Sequence, residues 1–517
     1  MKKTKRELLV LAAATTVALS MGVTVQAKGD EKVLNFGCQM YTDGCVNSAN
    51  DENSGWNAMR YGIAEALFKF DDNMEVIPWL AESYEVNDEH TEWTIKLKDG
   101  IKFSDGCDLT PTKVKEYFDH MKEVGPSGSA KPEKYLEFEA EVTVDDDANT
   151  INIKTSKPYA NLVGQLCHPT MGITDVEHIE NYDNGIIGTG PYKIESWDEG
   201  QAITLVKNED YFKGEPSIDK IVFKIVPDDN AKALQLKSGE LDLALLTPKD
   251  AAAFADDEAY TCYDMKTSDY RGIMFNFGNE YWQKNRDLIP AVCYGLDRQA
   301  IIDAVILGQG MPAYGPLQRN VYNYEDVEHY DYNPEKAKEI LEAAGCEMGD
   351  DGFYYRDGEK VGFVISVSAG DQVRIDMAQI AAQELKEIGM DVSVEIPAQT
   401  DWAGQMAFLI GWGSPFDADD HTYKVFGTDK GANYSGYSNA DVDKYLTEAR
   451  QSADPEVRAE AYANFQKALA EDPAYAMICY IDANYVADSN IKGIDPDTIM
   501  GHHGVGIFWN VADWTIE

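Results

Sequence analysis

The alternation of apolar and polar residues predicts a chain in which strands and helices are interleaved. Residues 91–97 (TEWTIKL) and 220–226 (KIVFKIV) alternate with a period of two, as strands with one buried face do. Residues 374–388 carry apolar side chains at helical spacing, end at Gly389 and lead into the alternating segment 390–396. This mixture, without internal repeats or low-complexity linkers, predicts a mixed α/β fold.

Three predicted helices share the same start signal. Thr110, Asn333 and Asp454 are each followed by proline. A polar side chain suits the N-cap of a helix, and proline suits the first turn, where a backbone amide would have no partner. We therefore expect helices to begin directly after these three residues.

The first 27 residues have the pattern of a secretory signal peptide. Four basic residues precede a mostly apolar run from Leu8 to Val25, and residues 25–27 (VQA) fit a small-residue cleavage site. Polar residues within the run weaken the alternative of a membrane anchor, and Cys38 has no lipobox before it. We expect an exported product, cleaved near Ala27, in the periplasm or on the extracellular face.

The charge of the chain excludes one class of partner. It has 45 lysine and arginine residues against 90 aspartate and glutamate residues, a formal net charge of −45. Phosphates would be repelled at every approach, so we expect no nucleic-acid partner. The favoured interpretation of the charge is solubility of an exported protein, with attraction of cationic ligands as a secondary alternative.

The cysteines predict no zinc site. Eight are scattered along the chain without a CxxC pair. Cys38 and Cys45 are close enough in sequence to close a small loop outside the cell. For the others we expect buried thiols that act as small apolar groups.

The most distinctive motif lies in residues 188–212 (GTGPYKIESWDEGQAITLVKNEDYF), where Gly-x-Gly-Pro leads into two short strands. Residues 77–106 (IPWLAESYEVNDEHTEWTIKLKDGIKFSDG) form a second signature, followed by residues 296–298 (LDR) and 333–337 (NPEKA). In this order, behind a signal peptide, these segments resemble extracellular solute-binding protein family 5. That family includes the dipeptide-, oligopeptide- and nickel-binding proteins of ABC importers.

The resemblance implies a periplasmic-binding-protein type II fold, a bilobal cleft with an additional inserted lobe. A length of 517 residues also suggests roughly three units at about 150 residues each. Lobe I would comprise residues 28–62, 188–279 and 491–517. Lobe II would comprise residues 63–187, and lobe III residues 280–490. Ligand would be enclosed when the lobes close about two crossovers.

The resemblance also implies that residues 38–60 and 411–434 line the cleft. In the dipeptide and oligopeptide binders an acidic residue takes the ligand's α-ammonium, and Asp417 or Asp419 would do so here. A carboxylate in a closing cleft gains much from a cation. The alternative is a loop of solvated acids. Trp412 and Phe416 would clamp the ligand or, alternatively, fill the lobe core.

Further candidates come from both sides of the cleft. Arg374 and Arg271 are expected to take a ligand carboxylate bidentately, and surface ion pairs are the alternative for each. The remaining ligand-binding candidates are Tyr41, Trp56, Asn57, Arg60 and Tyr434.

A nickel chelate is the alternative ligand. The compact motif from Trp412 to Asp417 (WGSPFD) resembles the nickel-binding branch, but residues 427–431 (GTDKG) lack that branch's histidine. The arginines expected within residues 166–173 are also missing, although His168 stands there. His502 and His503 could ligate a metal only if a turn brings both rings to one side. We predict no metal site or cofactor.

The sequence thus favours a monomeric binding protein that captures short peptides, or a similar zwitterionic solute, and delivers them to an ABC permease. A metal-chelate binding protein of the same family is the alternative. A secreted hydrolase is disfavoured, because the chain contains no HExxH motif and no G-x-S-x-G elbow. We therefore expect a protein that is not an enzyme.

Overall fold

A computed structural model describes residues 31–38, 59, 61–71, 75–124, 140–177, 186–198, 200–414, 417–499, 501 and 506–517. The predicted signal peptide and Cys45 lie outside these ranges. Within them, no helix is long and apolar enough to cross a membrane.

The first half of the described chain contains most of the strands. In chain order its elements are β1 (Val33–Cys38), β2 (Phe68–Phe70), β3 (Val76–Pro78), β4 (Ala81–Val86), β5 (Glu92–Leu97), α1 (Pro111–Val124), β6 (Glu141–Asp145), β7 (Thr150–Lys154), α2 (Leu162–Gln165), β8 (Tyr192–Asp198), β9 (Ala202–Lys207), β10 (Lys220–Ile225), α3 (Asp229–Ser238), β11 (Leu243–Leu246), α4 (Pro248–Ala251) and β12 (Tyr260–Phe275).

The second half is richer in helices. It continues with α5 (Glu280–Asn285), α6 (Ile289–Tyr294), α7 (Arg298–Ile306), β13 (Gly310–Pro312), α8 (Pro334–Ala343), β14 (Glu347–Met348), β15 (Tyr354–Arg356), β16 (Glu359–Lys360), β17 (Val364–Ser366), α9 (Gln372–Glu387), β18 (Ser393–Glu395), β19 (Ala407–Trp412), α10 (Ala418–Phe426), α11 (Ala440–Gln451), α12 (Pro455–Glu471), β20 (Tyr475–Asp488), β21 (Ile491–Lys492) and β22 (Thr515–Ile516).

These elements match the sequence patterns closely. Strand β5 alternates buried and exposed residues along its whole length, as its period of two predicts. Asn333 and Asp454 cap α8 and α12, and their side chains accept backbone N–H groups of Lys336 and Glu456. The predicted elements therefore follow from local sequence signals.

One large sheet runs through most of the molecule. It has eleven strands in the order β18-β17-β19-β12-β20-β11-β1-β10-β9-β8, and β13 pairs with β20 off this path. The two longest strands, β12 with 16 residues and β20 with 14, pair with each other along most of their length. Strand β20 also pairs with β11 on one side of the molecule, and β12 pairs with β19 on the other. These two strands are therefore the connection between the two halves of the sheet.

Separate clusters of packed side chains surround this framework. The first unit, around β1, β8, β9, β10 and β11, has a core that includes Phe36, Phe223 and Trp514. The inserted unit, a separate sheet β4-β5-β7-β6 with α1 and α2, packs around Trp93 and Phe118. The second unit contains β17 to β19 and α5 to α12, with cores on both faces of its sheet. The lobe boundaries given above remain predictions.

The Gly-x-Gly-Pro motif lies where the chain returns from the inserted unit. The backbone N–H groups of Gly190 and Tyr192 donate to the carbonyl oxygens of Ile63 and Gly62, each at 3.0 Å. A Cβ atom at Gly188 would lie 2.1 Å from the Ile63 oxygen, and one at Gly190 would lie 2.2 Å from the Gly62 oxygen. The glycines are therefore required for close backbone contact between the outgoing and returning segments.

The cysteines are more varied than the sequence predicts. Cys167, Cys293, Cys346 and Cys479 are buried, as expected. Burial raises the pKa of the Cys293 and Cys479 thiols to about 12, so both stay protonated. The expectation is wrong for Cys262, which is exposed, and for Cys107, which is half-buried, because each lies where the chain meets solvent.

We expect Gly190→Ala to destabilise the protein by about 1–3 kcal/mol, because the added methyl group would overlap a backbone carbonyl that cannot rotate away. Thermal unfolding followed by circular dichroism measures the effect. Gly315→Ala is the matched control, since a Cβ atom there has no neighbour within 4 Å. Equal melting temperatures for the two variants would contradict this account of the motif.

Candidate functional site

Three acidic residues occupy the first turn of α10. Asp417 is the N-cap, and its carboxylate accepts the backbone N–H of Asp419 at 2.9 Å. Asp419 and Asp420 follow, with 1% and 5% of their surface exposed. The positive end of the helix dipole stabilises negative charge at this position. Buried carboxylates still require partners, and the structure supplies them.

Each of these acids is paired with a cation from the same unit. Arg450, on α11, holds Asp419 through three N–H···O contacts of 2.9 to 3.1 Å. Arg458, on α12, donates to Asp417 at 2.7 Å. Lys424, one turn along α10, lies 3.5 Å from Asp420. The alternative of solvated acids is therefore wrong for the two predicted anchors, Asp417 and Asp419, because both carboxylates are engaged in ion pairs within the protein.

The pKa values of two of these acids shift in opposite directions. Burial raises the pKa of Asp417, and Arg458 opposes that effect. Burial would raise the pKa of Asp420 as well, but Lys424, His168 and Ser414 outweigh it and lower the pKa to about 2. Asp420 therefore remains ionised throughout the physiological range.

The same acids touch the inserted unit. The side-chain amide of Asn161 donates to Asp417 at 3.0 Å, and that of Gln165 donates to Asp419 at 3.0 Å. The Nε2 atom of His168 lies 3.5 Å from Asp420. Sequence reasoning missed Asn161 and Gln165, because no local signal links α2 with a helix some 250 residues away.

Two arginines converge on the end of β19. Arg271, on β12, and Arg374, at the start of α9, are 4% and 7% exposed. A Cβ atom on Gly411 would lie 2.3 Å from Nη1 of Arg271 and 2.6 Å from Nη2 of Arg374. Both guanidinium groups therefore lie against the same glycine. These are the two arginines that the sequence predicts to bind a ligand carboxylate. The alternative of surface ion pairs is wrong for both, because they are buried.

Both arginines lie beside acidic residues. Arg271 pairs with Asp269, and Nε of Arg374 lies 3.0 Å from Asp371. Burial alone would lower the pKa of Arg271, but Asp269 and Asp371 raise it, so the group stays charged. Its Nε atom has no hydrogen-bond partner among the described residues. A guanidinium has five N–H donors, more than one carboxylate can accept.

Three aromatic rings form a stacked row beside β19. The Trp412 and Tyr434 rings lie 5.8 Å apart at 22°, and the Tyr434 and Trp402 rings 4.9 Å apart at 30°. Tyr434 is 43% exposed and Trp402 is 41% exposed. The structure thus brings together the predicted Trp412 and Tyr434, and adds Trp402. The sequence signal that could have identified Trp402 is that it is an aromatic residue within the polar loop before β19.

Several candidates lie outside the described residues. These are Tyr41, Trp56, Asn57, Arg60, Phe416, His502 and His503.

The described residues offer little for a metal ion. Nδ1 of His168 accepts the backbone N–H of Thr170 at 3.2 Å, and its Nε2 faces Asp420. Within the ranges given above, one group of three potential ligands is close enough to share an ion: Asp105, Cys107 and Asp175. Asp175 already pairs with Nζ of Lys113 at 3.1 Å.

Comparison with known proteins agrees with this architecture. The model of the bacterial extracellular solute-binding proteins, family 5 (middle), matches residues 75–434. The chain belongs to this family. The family predicted from the sequence is thereby confirmed, and so is the predicted function of solute binding.

Individual relatives span nearly the whole chain. The oligopeptide-binding protein AppA of Bacillus subtilis is 29% identical over 496 residues, 90% of this chain and 88% of AppA. The glutathione-binding protein GsiB of Salmonella typhimurium is 27% identical over 474 residues, 87% of this chain and 89% of GsiB.

A solved structure confirms the fold class. NikZ of Campylobacter jejuni, in complex with Ni(L-His), superposes with a TM-score of 0.84 at 27% identity, covering 93% of this chain and 99% of NikZ. The mixed α/β fold of the type II periplasmic binding proteins is therefore confirmed for this family member.

We expect Asp419→Asn to destabilise this family member by about 3 kcal/mol or more, because it removes the carboxylate that pairs with the buried charge of Arg450. The double variant Asp419→Asn/Arg450→Met should lose less than the sum of the single variants. Chemical denaturation of the wild type, the two single variants and the double variant measures the free energies of unfolding for this double-mutant cycle.

The matched control is the exposed pair of Glu92 and Lys154, whose side chains are 56% and 62% exposed. Glu92→Gln should cause no measurable change, because water screens an exposed pair. A strictly additive cycle at Asp419 and Arg450 would show that the two side chains do not stabilise each other.

Proposed function

We propose that this protein is the substrate-binding protein of an ABC importer and binds a short peptide, or a similar zwitterionic solute, through a carboxylate. The observation that carries the proposal is the convergence of Arg271 and Arg374 on Gly411 at the end of β19. Planar guanidinium groups match a carboxylate bidentately, and the glycine lets both guanidinium groups approach the end of β19.

The charge distribution supports a carboxylate as the anchored group. Asp417 and Asp419 are already neutralised by Arg458 and Arg450. A ligand ammonium at either acid would have to share that carboxylate with a buried guanidinium. The role of Asp417 or Asp419 as ammonium anchor therefore remains a prediction, and the arginine pair is the stronger candidate.

The aromatic row supports contact with the body of the ligand. Trp402 and Tyr434 expose large ring surfaces beside β19. Exposed aromatic rings that stack on one another are a favourable surface for apolar or planar groups. We propose that Trp412, Tyr434 and Trp402 contact ligand side chains.

The edge of β19 favours a peptide among zwitterionic solutes. Strand β17 pairs with β19 only at Ala407 and Phe408. From Leu409 to Trp412 that edge has no strand partner among the described residues. An extended peptide can add to such an edge, and its side chains would alternate between the arginine face and the aromatic face.

A nickel chelate remains the second candidate. NikZ of Campylobacter jejuni was solved with Ni(L-His). A chelate formed by an amino acid also carries a carboxylate, so the same arginine pair would suit it. The Trp412 to Asp417 motif favours this alternative, whereas the missing histidine within residues 427–431 disfavours it.

We further propose that the protein is exported and cleaved near Ala27, acts as a monomer beside the permease and catalyses no reaction. The signal-peptide pattern and the membership of a family of extracellular binding proteins support this proposal.

We expect Arg374→Ala to weaken binding of carboxylate ligands at least about thirtyfold, because a charge-assisted contact is lost in a buried site. Isothermal titration with tripeptides identified as binders, and with the same tripeptides amidated at the C-terminus, measures the effect. Amidation should weaken binding to the wild type far more than binding to Arg374→Ala.

The matched control is Arg356→Ala, an arginine of the same unit that pairs with Asp287 and is 25% exposed. It should bind as the wild type does. Equal affinity of Arg374→Ala and the wild type for free carboxylates would contradict the proposal. Tight binding of Ni(L-His) without binding of any peptide would favour the second candidate.

A further inference from the structure

Three contacts join the inserted unit to the second unit in a regular arrangement. Asn161, Gln165 and His168 follow a spacing of four and then three residues, which places them on one face of α2 and its flanking turns. Opposite them stand Asp417, Asp419 and Asp420. We call these three donor–acid contacts the interunit ladder.

We propose that the interunit ladder is a latch that holds the closed form of the protein, with Asn161, Gln165 and His168 as positioning residues. This proposal rests on the solute-binding function but not on the identity of the ligand. It gives the acids of α10 a role in closure rather than in contact with a ligand ammonium.

The first argument is burial. Asn161, Gln165 and His168 are 5%, 2% and 1% exposed. Polar side chains at the surface of a unit are normally solvated, and their burial is favourable only when they find partners. Here the partners of Asn161 and Gln165 are carboxylates of the other unit at 3.0 Å. The two surfaces are thus complementary in the closed arrangement.

The second argument is the division of charge between the units. The lysine and the two arginines that pair with the acids all lie in the second unit: Lys424, Arg450 and Arg458. Asn161 and Gln165 are neutral donors. His168 accepts the Thr170 N–H at Nδ1, and its Nε2 faces Asp420 at 3.5 Å. Opening would therefore break two hydrogen bonds from neutral amides, while the ion pairs of Asp417 and Asp419 with Arg458 and Arg450 stay within the second unit.

This division of charge suits a reversible latch. An ion pair across the units would leave two unpaired buried charges at the start of opening, with a large cost. A hydrogen bond from a neutral amide exchanges with water at a modest net cost. The closed form is then favoured without being locked, and a bound ligand can shift the balance.

The test is the double variant Asn161→Ala/Gln165→Ala. Small-angle X-ray scattering of the ligand-free mature protein should show a larger radius of gyration than that of the wild type. Gln165→Glu, which places a second carboxylate against Asp419, should open the protein further. For a tripeptide that binds the wild type, surface plasmon resonance should show Kd raised about tenfold, mainly through faster dissociation.

Asn152→Ala is the matched control, because its amide lies on β7 of the inserted unit and contacts Thr94 of the same unit. It should match the wild type in both measurements. Circular dichroism checks that each variant is folded, and the single variant Gln165→Glu replaces the double variant if that one is not.

Two outcomes would overturn the latch. One is unchanged scattering and unchanged dissociation rates in both Asn161→Ala/Gln165→Ala and Gln165→Glu. The other is a loss of affinity in Asp417→Asn or Asp419→Asn with none in the amide variants, which would return the acids to direct ligand contact. If no tripeptide binds the wild type, the proposal that the ligand is a peptide is wrong. The scattering of the ligand-free protein still tests whether the interunit ladder holds the closed form.

Discussion

The structure depends on the pairing of two strands, β12 and β20, that pass through both halves of the large sheet. Their hydrogen bonds hold the first and second units at a common junction, and the register of β12 with β20 shifts between Lys266 and Tyr270. Arg271 comes directly after that shift, and on the other edge of β12 it is paired with Gly411 of β19. The irregular part of the strand thus lies next to the candidate carboxylate site.

The electrostatics of the site follow from burial. A protein with a net charge of −45 nevertheless places Asp417 and Asp419 against arginines of the same unit. Both carboxylates are thereby paired within the protein. Arg271 and Arg374 lie against the same glycine beside Asp269 and Asp371, and we propose that the two guanidinium groups receive a further anion. The same rule, that buried charge must be paired, explains both the interunit ladder and the carboxylate site.

The fold was predictable from sequence because its signals are local. Alternation, N-caps such as Asn333 and the ordered family motifs each lie within a few residues. The sites were harder, because their partners are distant in sequence. Residue type and motif indicated Asp419, but no nearby sequence signal predicts its partners Arg450 and Gln165. The reason for Gly188 and Gly190, a close approach to Gly62 and Ile63, required the structure. Trp402 was missed since one aromatic residue in a polar loop is a weak signal.

The central claim is that the ligand is an organic carboxylate held at Arg271 and Arg374. Native mass spectrometry of protein purified without denaturation tests it most directly, because a ligand bound in a closed cleft co-purifies. The account predicts a released small molecule with a free carboxylate, either a short peptide or an amino-acid chelate, whose occupancy falls in Arg374→Ala. A co-purified ligand that lacks a carboxylate, or equal occupancy in the wild type and Arg374→Ala, would contradict it.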